Sequence, residues 1–345
     1  LGTIEFEPDR DNTLIYGANA SGKTSLLEAL AYLGRGKSFR GAPHTNLIQH
    51  GQQEFVLFGQ IESGAREVRV GVRNSRAGLE VKVDGDSSGG AASLAAALPL
   101  QVIDPDVHNL VSGGPDERRR FLDWLAFHVE PEYLALWRQF RRALKQRNAA
   151  LKGGGGRDAL AAWDTEFCRR GGRVEVARRE VLAASLETLQ QHGSGLLGAD
   201  VDFRYASGWA KDTSLKQALD DHFDRDCALG TTQVGPHRAD LRLVYDERQA
   251  RRLVSRGQQK LLASAMILAA TEIAQTALER PLLLLLDDPA AELDRDSLGR
   301  LMGQVAALGS QVIATSLERD ESLFPAAPRV FHVEQGELRA AVARG

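Results

Sequence analysis

With 345 residues, 43% of them hydrophobic and 26% charged, the chain reads as an ordinary soluble globular protein of about two domains, and its net charge of −3 excludes a protein that holds nucleic acid by overall charge. Its two cysteines, Cys168 and Cys227, have neither metal spacing nor the number for a disulfide framework, which points to a reducing, cytoplasmic compartment. No uniformly apolar run approaches the length of a membrane span, Leu282–Leu286 being strand-sized, so none is expected, and the first residues alternate like a strand, not a signal peptide.

Residues 3–7 and 12–16 read as strands. The second runs into Gly17-Ala18-Asn19-Ala20-Ser21-Gly22-Lys23-Thr24-Ser25, a Gly-x-x-x-x-Gly-Lys-Thr loop, and then into a helix. Leu26, Leu27, Leu30 and Leu33 form that helix's apolar stripe and Gly34 its stop. In such a loop the glycines let successive N–H groups face one anion. Lys23 adds a point charge for β/γ-phosphates, and Thr24 offers a hydroxyl to Mg²⁺. Because the loop lies so close to residue 1, a further strand is expected ahead of it.

Three strands follow at 55–61, 67–72 and 79–83, then a short helix over 91–98 and a strand at 100–103. From 113 to 225 the pattern turns helical. Gly114-Pro115-Asp116-Glu117 opens one helix, with Phe121, Trp124, Leu125 and His128 on a face. Pro131 opens another, with Leu134, Trp137, Phe140 and Leu144 inward and Arg138, Arg141, Arg142 and Lys145 outward. A link at Gly153–Gly156 leads to a third stretch over 158–192, broken at Gly171-Gly172. Heptads are not sustained, so no long coiled-coil arm is expected. A turn at Gly235–Arg238, a strand at 241–245 and a helix of about 25 residues capped by Ser255 come next, with Leu261, Leu262, Ala265, Leu268 and Ile273 on one side of that helix. Strand 282–286, helix 295–307 and strands 311–315 and 330–333 complete an α/β pattern. The expected division is a head of residues 1–112 and 226–345 with a helical lid at 113–225.

Two further stretches carry chemistry. Leu282–Leu286 delivers Asp287 and Asp288 at the carboxyl end of a buried strand, where open α/β sheets bind ligands. Asp287 is the candidate Mg²⁺ partner of the loop, and Asp288 the candidate acid that orients or deprotonates water. Leu253-Val254-Ser255-Arg256-Gly257-Gln258-Gln259-Lys260 heads a long helix and offers a second anion site. The basic clusters, Arg35/Lys37/Arg40, Arg118–Arg120 and Arg138/Arg141/Arg142/Lys145, read one at a time as solvated faces.

The order of phosphate loop, long insert, Ser-x-Gly-Gln-Gln helix, acidic strand and Ala291-Glu292-Leu293-Asp294 resembles the ATP-binding-cassette head. Gly34–Arg40, Gly113–Asp123, Lys145–Asn148, Gly235–Leu241 and Ser255–Lys260 then look like the motif series of the RecF family, bacterial recombination mediators with an SMC-like ATPase head. The resemblance implies an α/β P-loop ATPase head of ABC type with an inserted helical lid. It implies ATP and Mg²⁺ as cofactors, slow DNA-stimulated hydrolysis, and an ATP-dependent homodimer on double-stranded and gapped DNA. It also implies RecA loading with RecO and RecR, and no membrane partner. Carried onto this chain, Gly17–Ser25 would bind ATP, with Lys23 among the catalytic groups. Thr24 and Asp287 would hold Mg²⁺, and Asp288 would be the catalytic acid. Ser255, Gly257, Gln258 and Gln259 would reach ATP of the other subunit, and Asp294 would lie in the dimer loop. Arg118, Arg119, Arg138 and Arg142 are the candidate DNA contacts. Ala20 stands where the family usually has Gly, Ser21 beside it is also unusual, Ala290-Ala291 replace a common Ser, and the family's first strand is missing. The alternative is another SMC-like head acting in chromosome maintenance.

Overall fold

The apolar run ahead of Gly17 becomes strand β1 (Asn12–Tyr16), central to a six-stranded sheet. The structure, a computed structural model, describes residues 2–41, 43–63, 66–154, 156–245, 248–249 and 255–341. Contacts divide the chain into one unit of residues 1–107 and 279–345 and a second of 108–278.

In the first unit β1 leads to helix α1 (Lys23–Arg35), the antiparallel strands β2 (Glu54–Ser63), β3 (Arg66–Ser75) and β4 (Gly78–Val83), helix α2 (Ala91–Ala97) and strand β5 (Leu100–Ile103). After the second unit come β9 (Leu283–Leu286), helix Arg295–Ala307, β10 (Gln311–Ser316), β11 (Arg329–Glu334) and β12 (Glu337–Ala340). The sheet order is β12-β11-β1-β10-β9-β5, parallel except for β12. Ile15, Leu27, Leu285, Ile313 and Phe331 form its core. A second face of α1, through Tyr32 and Leu33, packs on Val70 and Val72 of the small β2-β3-β4 sheet. Burial on two faces explains why α1 is so rich in leucine and alanine.

The second unit holds α3 (Asn109–Ser112), α4 (Pro115–Val129), α5 (Tyr133–Lys152), α6 (Arg157–Leu197), strand β6 (Val201–Ala206), α7 (Leu215–Asp221), α8 (Phe223–Leu229), strands β7 (Asp240–Tyr245) and β8 (Arg248–Gln249), and α9 (Arg256–Leu278). The helix at 295–307 is therefore α10. The division differs from the expected lid of 113–225: β6 pairs antiparallel with β7, and α9 packs on α6 and α4, so residues 226–278 group with the helical insert.

Several local expectations are corrected. Residues 3–7 form no strand; Phe6 instead sets its ring edge against Phe331, centroids 5.0 Å apart. The stop of α1 is Gly36, at φ 63 with its N–H on Tyr32 O. Gly34 lies within the helix because a Cβ there would meet Leu98 O at 2.6 Å. Helix α6 runs unbroken through Gly171-Gly172. A Cβ at Gly171 would press on Leu215, Phe140 and Pro236, so this glycine permits close packing, not a break. On α5 the buried stripe is Tyr133, Leu136, Phe140, Ala143, Leu144, Arg147 and Leu151, and Leu134 and Trp137 are only half-buried. Helix α9 is long and apolar enough to cross a membrane by length and composition, with mean hydropathy 1.5 over 18 residues. Residues 260–271 of it are all buried within the unit, so over that span the expected one-sided stripe is enclosed on every side, while both ends of the helix carry exposed residues.

Candidate nucleotide-binding site

At the carboxyl end of β1 the chain turns so tightly that a Cβ on Gly17 would lie 2.2 Å from Val333 O. Gly22, at φ 113, precedes α1, and no side chain caps the helix, so its first N–H groups are left to an anion. Lys23 Nζ bridges the loop, donating to Gly17 O at 2.6 Å and Ala18 O at 2.9 Å. Ala20 sits at φ 61, in the left-handed region that favours glycine. Ser21 Oγ is buried without a hydrogen-bond partner among the described residues.

Strand order brings the loop's partners in. β10 lies between β1 and β9, so Thr315 stands between the phosphate loop and the aspartates. The Thr24 hydroxyl donates to Asp287 Oδ1 at 3.1 Å, and the Thr315 hydroxyl donates to the same oxygen at 2.8 Å. Asp288 N–H donates to Thr315 Oγ1 at 3.0 Å. Asp287 is buried; Asp288, at φ 48, has left the strand, so its direction is set by this turn and not by strand alternation. Sequence reasoning missed Thr315 as the link between both acids. It also missed Asp104, which follows β5 as Asp287 follows β9. For Asp104 the local signal was that of Asp287, an acid directly after a short strand; Thr315 lies within β10 and had none. Burial pushes the Asp104 carboxyl up to about 6, helped by the charges of Asp106 and Asp287 and opposed by Arg35. Burial likewise lowers Arg35 to about 10, and its guanidinium donates to Gln101 Oε1, so Arg35 is not a free surface cation.

The donor set fits a nucleotide phosphate with Mg²⁺. Thr24 and Asp287 supply hard oxygens of a kind that Mg²⁺ shares with phosphates and water. No cluster of three or more His, Cys, Asp or Glu suited to a metal occurs among the described residues, which leaves one carboxylate and one hydroxyl as the protein's share.

In the second unit, Ser255 and Gln258 form a reciprocal cap on α9: Ser255 Oγ accepts from Gln258 N–H at 3.3 Å, and Gln258 Oε1 accepts from Ser255 N–H at 2.9 Å. Leu253 and Val254 lie outside the described residues. Gly257 and Gln259 occupy the same first turn. Asp294 caps α10 through both oxygens to Ser297, and the backbone bond from Ser297 lowers its pKa.

The arginine motifs divide sharply. Arg118 is buried, donating to Asp240 and to Gly113 O. Arg119 donates to Ala239 O and pairs with Asp116. Arg118 is thus committed inside the fold, its guanidinium taken up by Asp240 and backbone carbonyls, which argues against it as a DNA contact; Arg119 is tied to Ala239 O and Asp116 but stays partly exposed. Arg178 ties Asp123, Tyr133 and Pro236 O together, and Arg147 ties Asp164, Asp226 and Thr232. Arg138 and Arg142 stay exposed.

Comparison with known proteins agrees with this geometry. The family described as RecF/RecN/SMC N terminal domain matches residues 2–338. The DNA replication and repair protein RecF of Shewanella pealeana is 37% identical over 98% of this chain and 95% of its own length. That of Cellvibrio japonicus is 36% identical over 98% and 95%. Among solved structures, the recombination mediator protein RecF-ATP of the RecFOR pathway superposes with TM-score 0.86 at 25% identity, covering 98% of this chain and 93% of that one. An Smc head domain from Pyrococcus furiosus shares the fold with TM-score 0.56 at 14% identity, covering 96% and 90%. From its loop to its last strand, the chain belongs to the RecF family, with the α/β ATPase head common to RecF and SMC proteins.

Proposed function

We propose that the chain is an ATPase acting as a recombination mediator in DNA replication and repair, and that ATP binding closes two copies on duplex DNA near single-strand gaps. The observation that carries this reading is the Thr24 hydroxyl on Asp287 Oδ1, 3.1 Å away at the mouth of the phosphate loop, in a chain similar to RecF proteins along its length. The loop N–H groups and Lys23 hold the β/γ-phosphates. Thr24 and Asp287 would hold Mg²⁺, which supplies charge neutralisation on the phosphates when bound. Asp288 orients the attacking water, and Thr315 holds Asp287 and the Asp288 backbone in register.

The cap at Ser255–Gln259 is the second half of the site, supplied by the other copy, with Asp294 in the loop between subunits. Hydrolysis is slow and stimulated by DNA. RecR and RecO are the protein partners, RecA loading is the outcome, and the protein works in the cytoplasm. ATP turnover with and without duplex DNA tests the reading. Turnover that rises with DNA and disappears in Lys23→Ala is expected. Turnover indifferent to DNA, or an unaltered Lys23→Ala, overturns it.

A further inference from the structure

Helix α5 carries Arg138, Arg141, Arg142, Lys145, Arg147 and Lys152 and not one carboxylate. Only Arg147 turns inward, where Asp164 and Asp226 neutralise it. The other five are exposed, and no ion pair joins any of them among the described residues. The neighbouring helix α6 is built on the opposite rule. Its Arg169 and Arg170 pair with Glu166, Arg173 with Glu132, and Arg179 with Glu175. Like charges at i,i+4, such as Arg138/Arg142 and Arg141/Lys145, repel one another and weaken a helix. On α5 no carboxylate among the described residues pairs with these five cations, whereas on α6 every arginine has a carboxylate partner.

The ladder has the shape of a polyanion site. From Arg138 to Lys152 it runs roughly 21 Å along the helix, at 1.5 Å per residue, long enough to meet several phosphates of one strand. Arg141, Arg142, Lys145 and Lys152 line an open concavity of about 840 Å³ with Gln146 and Asn148. Trp137 holds Arg141 beneath it, the guanidinium carbon 5.3 Å from the ring centre. At the same end of the helix, the exposed Arg238 and Arg141 both act on His237, so the positive field continues onto the Gly235–Arg238 turn.

We infer that this face of α5 is the surface that tracks the phosphate backbone of duplex DNA, an inference that rests on the DNA-binding reading above. Arg118, buried against Asp240, is not part of it.

The test is the salt dependence of duplex binding by the full chain with ATP and Mg²⁺. It compares wild type with the triple variant Arg138→Gln/Arg142→Gln/Lys145→Gln and with Arg169→Gln/Arg173→Gln/Arg179→Gln, which removes the same charge from α6. The α5 variant is expected to lower the log–log salt slope by about 2–3, since each lost phosphate contact removes close to one counterion. The α6 variant is expected to keep the wild-type slope. A third variant, Arg138→Lys/Arg142→Lys, is expected to keep it too, because a ladder of point charges suffices. Wild-type binding with an unchanged slope in the α5 variant overturns this placement alone, as does an equal fall in both triple variants. A wild-type chain that does not bind duplex overturns the DNA-binding reading and the placement with it.

Discussion

Arg118 closes on Asp240 with two near-parallel hydrogen bonds, Nε to Oδ1 at 2.8 Å and Nη2 to Oδ2 at 3.2 Å, across 122 residues of chain. The pair joins α4 to the start of β7, and Arg118 Nη1 reaches on to Gly113 O. Removing one partner of such a buried pair leaves the other charge uncompensated. Arg118→Ala is expected to destabilise the protein by about 3 kcal/mol, read as a fall in the denaturation midpoint. The salt slope of DNA binding, measured below that midpoint, is expected to stay at the wild-type value. A normal midpoint with a reduced slope contradicts the structural role.

His237 sets a pH dependence of stability. Burial lowers its pKa from 6.5 to about 4, the charges of Arg238, Arg119 and Arg141 act in the same direction, and the hydrogen bond to Thr232 O opposes them. Between these two pH values the unfolded chain takes up a proton that the folded chain refuses. The stability due to neutral His237 is therefore complete above pH 6.5 and is lost as pH falls towards about 4. Urea unfolding of His237→Gln is expected to fall less steeply with acid over that window than wild type. Parallel curves contradict the assignment.

Ala20 carries strain in the phosphate loop. At φ 61 its Cβ crowds the backbone, at a cost of about 1 kcal/mol relative to glycine. Ala20→Gly is expected to tighten nucleotide binding by a few fold, and Ala20→Val to weaken it well beyond that, both read from equilibrium titration with ATP. Tighter binding by Ala20→Val rules out strain as the controlling factor.

Asp288→Asn separates binding from chemistry. Asparagine tolerates the left-handed backbone at φ 48, so the turn and its bond to Thr315 are retained. ATP binding is expected to persist while turnover falls by about a hundredfold or more, the range for loss of a general base. Unchanged turnover in single-cycle hydrolysis removes Asp288 from the catalytic role.

What could be read from the chain follows from how local each signal is. The strand–loop–helix at 12–35, the acidic strand at 283–288 and the cap at Ser255–Gln258 each declare themselves within one continuous stretch of 24 residues or fewer. Thr315 and Asp104 matter because strands β10 and β5 flank β9, an adjacency that no short window contains. The fate of an arginine is equally non-local. Arg118, Arg147 and Arg178 resemble Arg138 and Arg142 in sequence, but each finds buried partners tens of residues away. Gly171-Gly172 looked like a break because glycine lowers helix propensity. What it provides is a close approach of α6 to Phe140 and Pro236, which tertiary packing sustains.

The central claim is that the loop at Gly17–Thr24 is half of an ATP site completed by Ser255 of a second copy. Sedimentation of the full chain with ATP and Mg²⁺, with and without duplex DNA, tests it most directly when wild type is run beside Ser255→Arg. The predicted result is an ATP-dependent dimer that persists on DNA for wild type, and a monomer that still binds ATP for Ser255→Arg. An ATP-loaded Ser255→Arg that dimerises like wild type, or a wild type that stays monomeric with both ATP and DNA, would contradict it.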